Sequence, residues 1–145
     1  MTAAPIDRNL EFLINDVARL MTREYDRRVR DMNLTRSQWW VLVSLIRNDG
    51  SNQTELADQL DIGKVALGGL LDRLEAKGWI ERRPDPDDRR AKRVFLTDAV
   101  RPLIREMQEK GRSVHRLITR GMARNDQDRL VELLMQAKGN LARED

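Results

Sequence analysis

The stretch "WIERRPDPDDRRAKRVFLT", Trp79 to Thr97, decides the fold. Its two ends, "WIERR" and "KRVFLT", alternate apolar and polar residues as short strands do, with Ile80 inward on the first and Val94 and Leu96 inward on the second. Between them "PDPDDRRA" carries two prolines and turn-forming aspartates, which predicts a hairpin tip. Cations crowd it. Arg82, Arg83, Arg89, Arg90, Lys92 and Arg93 stand against Asp85, Asp87 and Asp88, an excess of three. The whole chain carries +3, so everything outside residues 82–93 balances. Clustered cations of this kind suit a polyanionic partner.

Two short helices lie immediately upstream. In "NQTELADQLDIG", Asn52 is the cap and Glu55 stands three residues on, the spacing of a capping box. Leu56, Ala57 and Leu60 face inward. Asp61-Ile62-Gly63 then turns the chain into "KVALGGLLDRLEAKG", whose buried stripe is Leu67, Leu70, Leu71 and Leu74. Gly78 stands where a C′ glycine takes the left-handed conformation. Two short helices joined by a tight turn form a helix-turn-helix. With a hairpin directly after it, the predicted fold class is mainly α: a winged helix-turn-helix with a small wing of two to three strands.

Further out, Leu10, Leu13, Ile14, Val17, Met21 and Tyr25 recur at helical spacing, predicting one long amphipathic helix from Ile6 to about Met32. "LTRSQWWVLVSLIRNDG" restarts the pattern, with Thr35 and Gln38 as a capping box. Trp39, Leu42 and Leu45 or Ile46 form its inner face, and Asn48-Asp49-Gly50 stops it. After the hairpin, Thr97 is expected to cap a long helix striped by Val100, Leu103, Ile104, Met107, Val114, Ile118 and Met122. Asn125 is expected to cap a last one striped by Leu130, Leu134, Ala137 and Leu141. The stripes at the two ends exceed what one small winged domain can cover, and predict pairing with a second copy. One domain is expected over residues 1–145: a winged lobe at 35–97, with pairing helices at 6–32 and 98–143.

Composition narrows the function classes. Of 145 residues, 40% are hydrophobic and 35% charged, with no cysteine and one histidine. A thiol switch and a disulfide framework are therefore excluded, and no multi-Cys zinc site can be built. No glycine-rich phosphate loop stands between a strand and a helix. Asp85, Asp87 and Asp88 sit among arginines on a turn, a poor place to exclude water or hold catalytic geometry. No enzyme activity, cofactor or metal is expected. The opening "MTAAPIDRNLEFLINDVARL" lacks a basic flank followed by an apolar run, and no segment approaches the ~18 apolar residues of a membrane span. A cytoplasmic location without membrane contact is the expectation.

"LTRSQWWVLVSL", "NQTELADQLDI" and "LLDRLEAKGWIERRPDPDDRRAKRVFLTD", with the long helices around them, resemble the MarR family, the multiple antibiotic resistance regulators. The likeness covers nearly the whole chain, and its most specific piece is "DDRRAKRVFLT", a wing with Asp-x-Arg spacing followed by Leu-Thr leading into a helix. The resemblance implies a homodimeric winged helix-turn-helix regulator of transcription that binds near-palindromic double-stranded DNA, usually a repressor released by a small effector. It assigns Asp88 and Arg90 to a wing pair in which the arginine enters the minor groove and the aspartate fixes its orientation.

The DNA-binding residues expected on this basis are Gln53, Thr54, Lys64, Val65, Gly68, Gly69, Arg73, Asp88, Arg89, Arg90 and Lys92. Gln53 and Thr54 open a helix whose N-terminus favours a phosphate. Lys64 suits a guanine edge or a phosphate, and Arg89 and Arg90 suit a narrow minor groove. Against this stands a solvated hairpin whose exposed Asp–Arg pairs are worth under ~1 kcal/mol. Gly68 and Gly69 each cost roughly 0.8–1.0 kcal/mol against alanine inside a helix, and relatives often carry a polar pair such as Thr-Arg there. Two explanations stand side by side: closer approach of the helix to the groove floor, and a weakly selective or architectural protein that reads groove shape. For a small organic effector such as an aromatic acid, the candidate residues are Tyr25, Trp39, Trp40 and His115. Core or interface packing is the competing role for each.

Overall fold

A computed structural model describes residues 6–143. Within it the chain divides into two compact units, one ending at Gly111 and the other beginning at Arg112. In the first unit, a single 3-10 turn at Ile6–Arg8 precedes α1 (Leu10–Val29). Asn9 caps α1 by accepting from the Phe12 amide at 3.0 Å. A second 3-10 turn, Arg30–Met32, ends on Asn33 in the left-handed region (φ 53°). The long first helix expected from Ile6 to Met32 is thus shorter, with a tighter turn at either end.

The cap at Asn52 opens α3 (Gln53–Leu60), and the one at Thr35 opens α2 (Arg36–Arg47). Both capping boxes form in full. Thr35 Oγ1 accepts from Gln38 N while Gln38 Oε1 accepts from Thr35 N, and Asn52 and Glu55 repeat the exchange. Asp61 (φ 52°) and Ile62 then swing the chain to Gly63, the cap of α4 (Lys64–Ala76). Gly78 closes α4 at φ +75°, as its sequence position predicts. Strand β1 (Ile80–Pro84) pairs antiparallel with β2 (Lys92–Leu96) in the register Ile80 to Leu96, Arg82 to Val94 and Pro84 to Lys92. A bridge from Asn52 to Arg93 and the bond from Val94 N to Ser51 O (2.9 Å) add a short third edge.

The core follows from helical and strand spacing. Leu42 and Leu45 of α2, Leu56 of α3, Leu67, Leu71 and Leu74 of α4, Ile80 of β1 and Val94 of β2 are fully enclosed. Each such side chain contributes on the order of 1.5–3 kcal/mol on leaving water. Trp39 joins them, whereas Ile46 lies partly outside, so Leu45 is the inner member of that pair. These side chains lock the helix-turn-helix onto the hairpin, giving the expected winged helix.

Two caps differ from expectation. Thr97 precedes a 3-10 turn (Asp98–Val100), and its hydroxyl donates to Gly78 O at 2.6 Å instead of capping α5 (Arg101–Ile118). In the second unit, α6 (Arg124–Leu141) starts one residue after Ala123, so Asn125 lies inside the helix and caps nothing. Gly121 (φ +79°) shapes the turn before it. No residue of α6 is buried.

Candidate nucleic-acid interface

Burial of Leu67, Leu71 and Leu74 fixes which side of α4 is left outward. That side presents Lys64, Val65, Asp72 and Arg73, all exposed, with the half-buried Gly68 and Gly69 between them. The helix runs unbroken through both glycines. A Cβ added at Gly68 would meet nothing within 4 Å, and one at Gly69 would meet only the Arg73 guanidinium at 3.6 Å.

Beside α4 opens a recess of about 410 Å³, lined by Gln53 and Thr54 at the start of α3, Lys64 and Leu67 of α4, and Arg82, Arg90, Ala91 and Lys92 of the hairpin. Three elements therefore bring five of the expected site residues to one place. The capping box leaves the Gln53 and Thr54 side chains uncommitted, because Asn52 and Glu55 satisfy each other.

The six hairpin cations separate into two sets. Arg82 points back to α4, bonding Glu75 through Nε (2.9 Å) and Asp72 through Nη2 (2.6 Å). Burial lowers the Arg82 pKa and its carboxylate partners raise it, with a net shift upward. Arg83 pairs with Glu81 and lies over the Phe95 ring at 4.4 Å. Arg93 pairs with the buried Asp85 (3.1 Å) and donates to Gly50 O (3.1 Å). In contrast, Arg89, Arg90 and Lys92 are exposed and form no ion pair among the described residues. Half of the cluster builds the wing, and the other half remains available to an outside anion.

At the tip, Asp88 Oδ1 accepts from the Arg90 backbone N–H at 3.0 Å, and Asp88 O accepts from Ala91 N. Asp88 sets the turn through the backbone and leaves the Arg90 guanidinium free of it. The aspartate that grips an arginine side chain in this wing is Asp85, which holds Arg93. It also accepts from Asp87 N (2.8 Å), while its own N–H donates to Ala91 O. Asp85 and the inward role of Arg82 were not foreseen from sequence. The signal existed: Arg82 lies two residues past the buried Ile80, hence on the same sheet face, and Asp72 and Glu75 are one helical turn apart.

The effector candidates are only partly together. Tyr25 packs on Trp39 (centroids 5.4 Å, 46°) and edge-on to Trp40 (6.0 Å, 65°). Burial pushes the Tyr25 phenol upward, with Arg28 opposing. Trp39 is core and Trp40 is partly open. His115 is exposed and belongs to the second unit. A separate recess of about 370 Å³, lined by Leu45, Ile46, Asp49, Leu96, Thr97, Arg101, Ile104 and Arg105, includes none of these four. Among the described residues no cluster of three or more His, Asp or Glu side chains is placed to hold a metal, and no helix is long and apolar enough to cross a membrane.

The MarR family model matches residues 32–91, from the end of the first helix through the wing tip. A solved structure, the transcriptional regulator PA3341, superposes with a TM-score of 0.83 at 30% identity, over 93% of this chain and 99% of that one. The chain belongs to the MarR family. Wild-type MarR from E. coli in its apo form gives 28% identity and a TM-score of 0.76, over 94% and 98% of the two chains. The transcriptional repressor CouR, solved bound to a 23-mer DNA duplex, gives 27% identity and 0.77, over 95% and 98%. A MarR winged helix is thus present with α4 in the recognition-helix position and β1–β2 as the wing.

Proposed function

We propose that this MarR-family protein is a sequence-specific DNA-binding regulator of transcription, working in the cytoplasm as a homodimer on a near-palindromic operator, and that it represses until a small organic effector releases it. The observation that carries the DNA reading is the sorting of the wing cations. Arg89, Arg90 and Lys92 remain unpaired, and Arg90 and Lys92 line, with Lys64, Gln53 and Thr54, one recess suited to a phosphate backbone. The relative CouR is solved bound to a 23-mer DNA duplex, which supports a duplex as the partner here. The general geometry of winged helices then puts α4 in the major groove and the wing arginines at the minor groove. Two copies would place their α4 helices about one helical turn apart, which is why the operator is expected to be near-palindromic.

A homodimer is supported by the apolar side chains left open on both end helices. Leu13, Ile14 and Val17 of α1, and Leu130, Leu134 and Met135 of α6, are each more than a third exposed. Exposed apolar stripes of this kind, on each helix by itself, suit an association site. For the effector, the Tyr25–Trp39–Trp40 group supplies an aromatic surface suited to an aromatic acid.

The test is binding of the purified protein to the DNA upstream of its own gene, measured by fluorescence anisotropy against scrambled DNA at one salt concentration. A regulator prefers the promoter fragment by a factor of about 10³ or more. Equal affinities would instead identify an architectural protein, the alternative that the side-chain-free Gly68–Gly69 surface favours. Arg90→Ala is expected to weaken promoter binding with the thermal midpoint unchanged, and to flatten the log–log salt dependence by about 0.9, one phosphate contact. Unaltered affinity would remove Arg90 from the interface.

A further inference from the structure

Val65 is the most exposed large hydrophobic side chain among the described residues, at 92%. It sits in the first turn of α4, next to Lys64 on the outward side. Residues three and four further along a helix are its surface neighbours, and here those are Gly68 and Gly69. The fold itself requires neither glycine. Neither has a positive φ, and an added methyl would meet open space at one and an ordinary contact with a flexible guanidinium at the other. Together they cost about 2 kcal/mol of helix stability against alanine. Val65 likewise touches little of its own chain.

The chemistry of this strip is narrow. The neighbouring Asp72 already accepts from Arg82. Of its own residues the strip offers one isopropyl group and two bare Cα positions, with no side-chain donor or acceptor. Its backbone N–H and C=O groups belong to the helix. It therefore cannot hydrogen-bond a base edge. The feature of the major groove that matches an apolar surface is the C5-methyl of thymine. Loss of the Cβ at two adjacent positions also lets the helix axis come nearer the base edges by about 1.5 Å, the length of one C–C bond.

We propose that Val65, Gly68 and Gly69 form a thymine-methyl reader, so that each operator half-site carries thymines under this strip, recognised by apolar contact while Lys64 and the wing hold phosphates. This rests on the reading of α4 as the recognition helix.

Deoxyuridine isolates the proposed contact, because an A·U pair keeps every hydrogen-bonding group of A·T and lacks only the methyl. Full-length protein is titrated with its own upstream duplex, located by footprinting, in which thymines of a half-site are replaced one at a time. Loss of about fourfold in affinity per contacted methyl is expected at one or two positions per half-site. Val65→Ala should abolish that sensitivity at one of them. Gly69→Ala should raise the thermal midpoint yet lower promoter affinity, a combination that a purely structural glycine would not give. If every uridine-substituted operator binds as tightly as the parent, while the promoter is still preferred over scrambled DNA, the methyl reader is wrong and the regulator survives. If promoter and scrambled duplexes bind alike, the reading of α4 beneath it falls as well. Gly69→Ala binding the operator as tightly as or more tightly than the parent also overturns the proposal.

Discussion

Gly50 and Gly69 show how one residue type serves opposite purposes. Gly50 takes φ +80°, donates from its amide to Val94 O at 2.9 Å, and accepts from Arg93 at its carbonyl. A Cβ there would lie 2.8 Å from Phe95 Cε1. Gly50→Ala is therefore expected to destabilise by about 1–3 kcal/mol, from left-handed strain together with the clash, seen as a lower urea midpoint at unchanged slope. The same change at Gly69 removes only helix-interior entropy and is expected to stabilise. Sequence flagged both glycines, Gly50 as part of a stop and Gly69 as an anomaly. It did not show that Phe95 folds over the first, because that contact joins residues forty-five apart. Arg82 teaches the same lesson about charge: a cation counted toward a polyanion is committed to Asp72 and Glu75.

Elements with reciprocal local bonds were the most legible. Thr35 with Gln38 and Asn52 with Glu55 are three residues apart, so each cap is decided within one turn and tertiary packing has little to override. Asn52→Ala should cost about 1 kcal/mol in chemical denaturation, and should not move the α2 boundary. Thr97 and Asn125 failed as caps for the complementary reason. The Thr97 hydroxyl found the Gly78 carbonyl nineteen residues away, and α6 had already begun at Arg124. The wing was legible as a hairpin from its prolines and alternation, but not in its internal anchor. Asp85 holds the loop by three bonds, to Arg93, Asp87 N and Ala91 O. Asp85→Ala removes the charged one and the Asx bond, and is expected to cost about 1.5–3 kcal/mol. It should also weaken operator binding, since the Arg90 turn is built on that anchor. Wild-type affinity in a folded Asp85→Ala protein would show that the wing docks without its anchor.

At the level of the whole chain, the periodic stripes of α1 and α6 gave both helices, though not their ends, while leaving them without a covering surface, since one sequence does not display its partner. Leu134→Glu, on a side chain nearly half exposed, is expected to shift the protein from dimer to monomer in sedimentation velocity with helicity retained, and to lower operator affinity as the paired heads separate. A monomeric parent chain would contradict the proposed assembly. Arg82 has a further effect at this scale. Its two bonds are individually modest, because Asp72 is largely solvated and Glu75 is more than a third open to water. Yet they bolt the hairpin to the helix beside it, so neither can be re-aimed alone. An effector acting on the proposed dimer would then have a single mechanical variable to change, the distance and angle between two stiff jaws, and partial release of one contact type without the other should not occur.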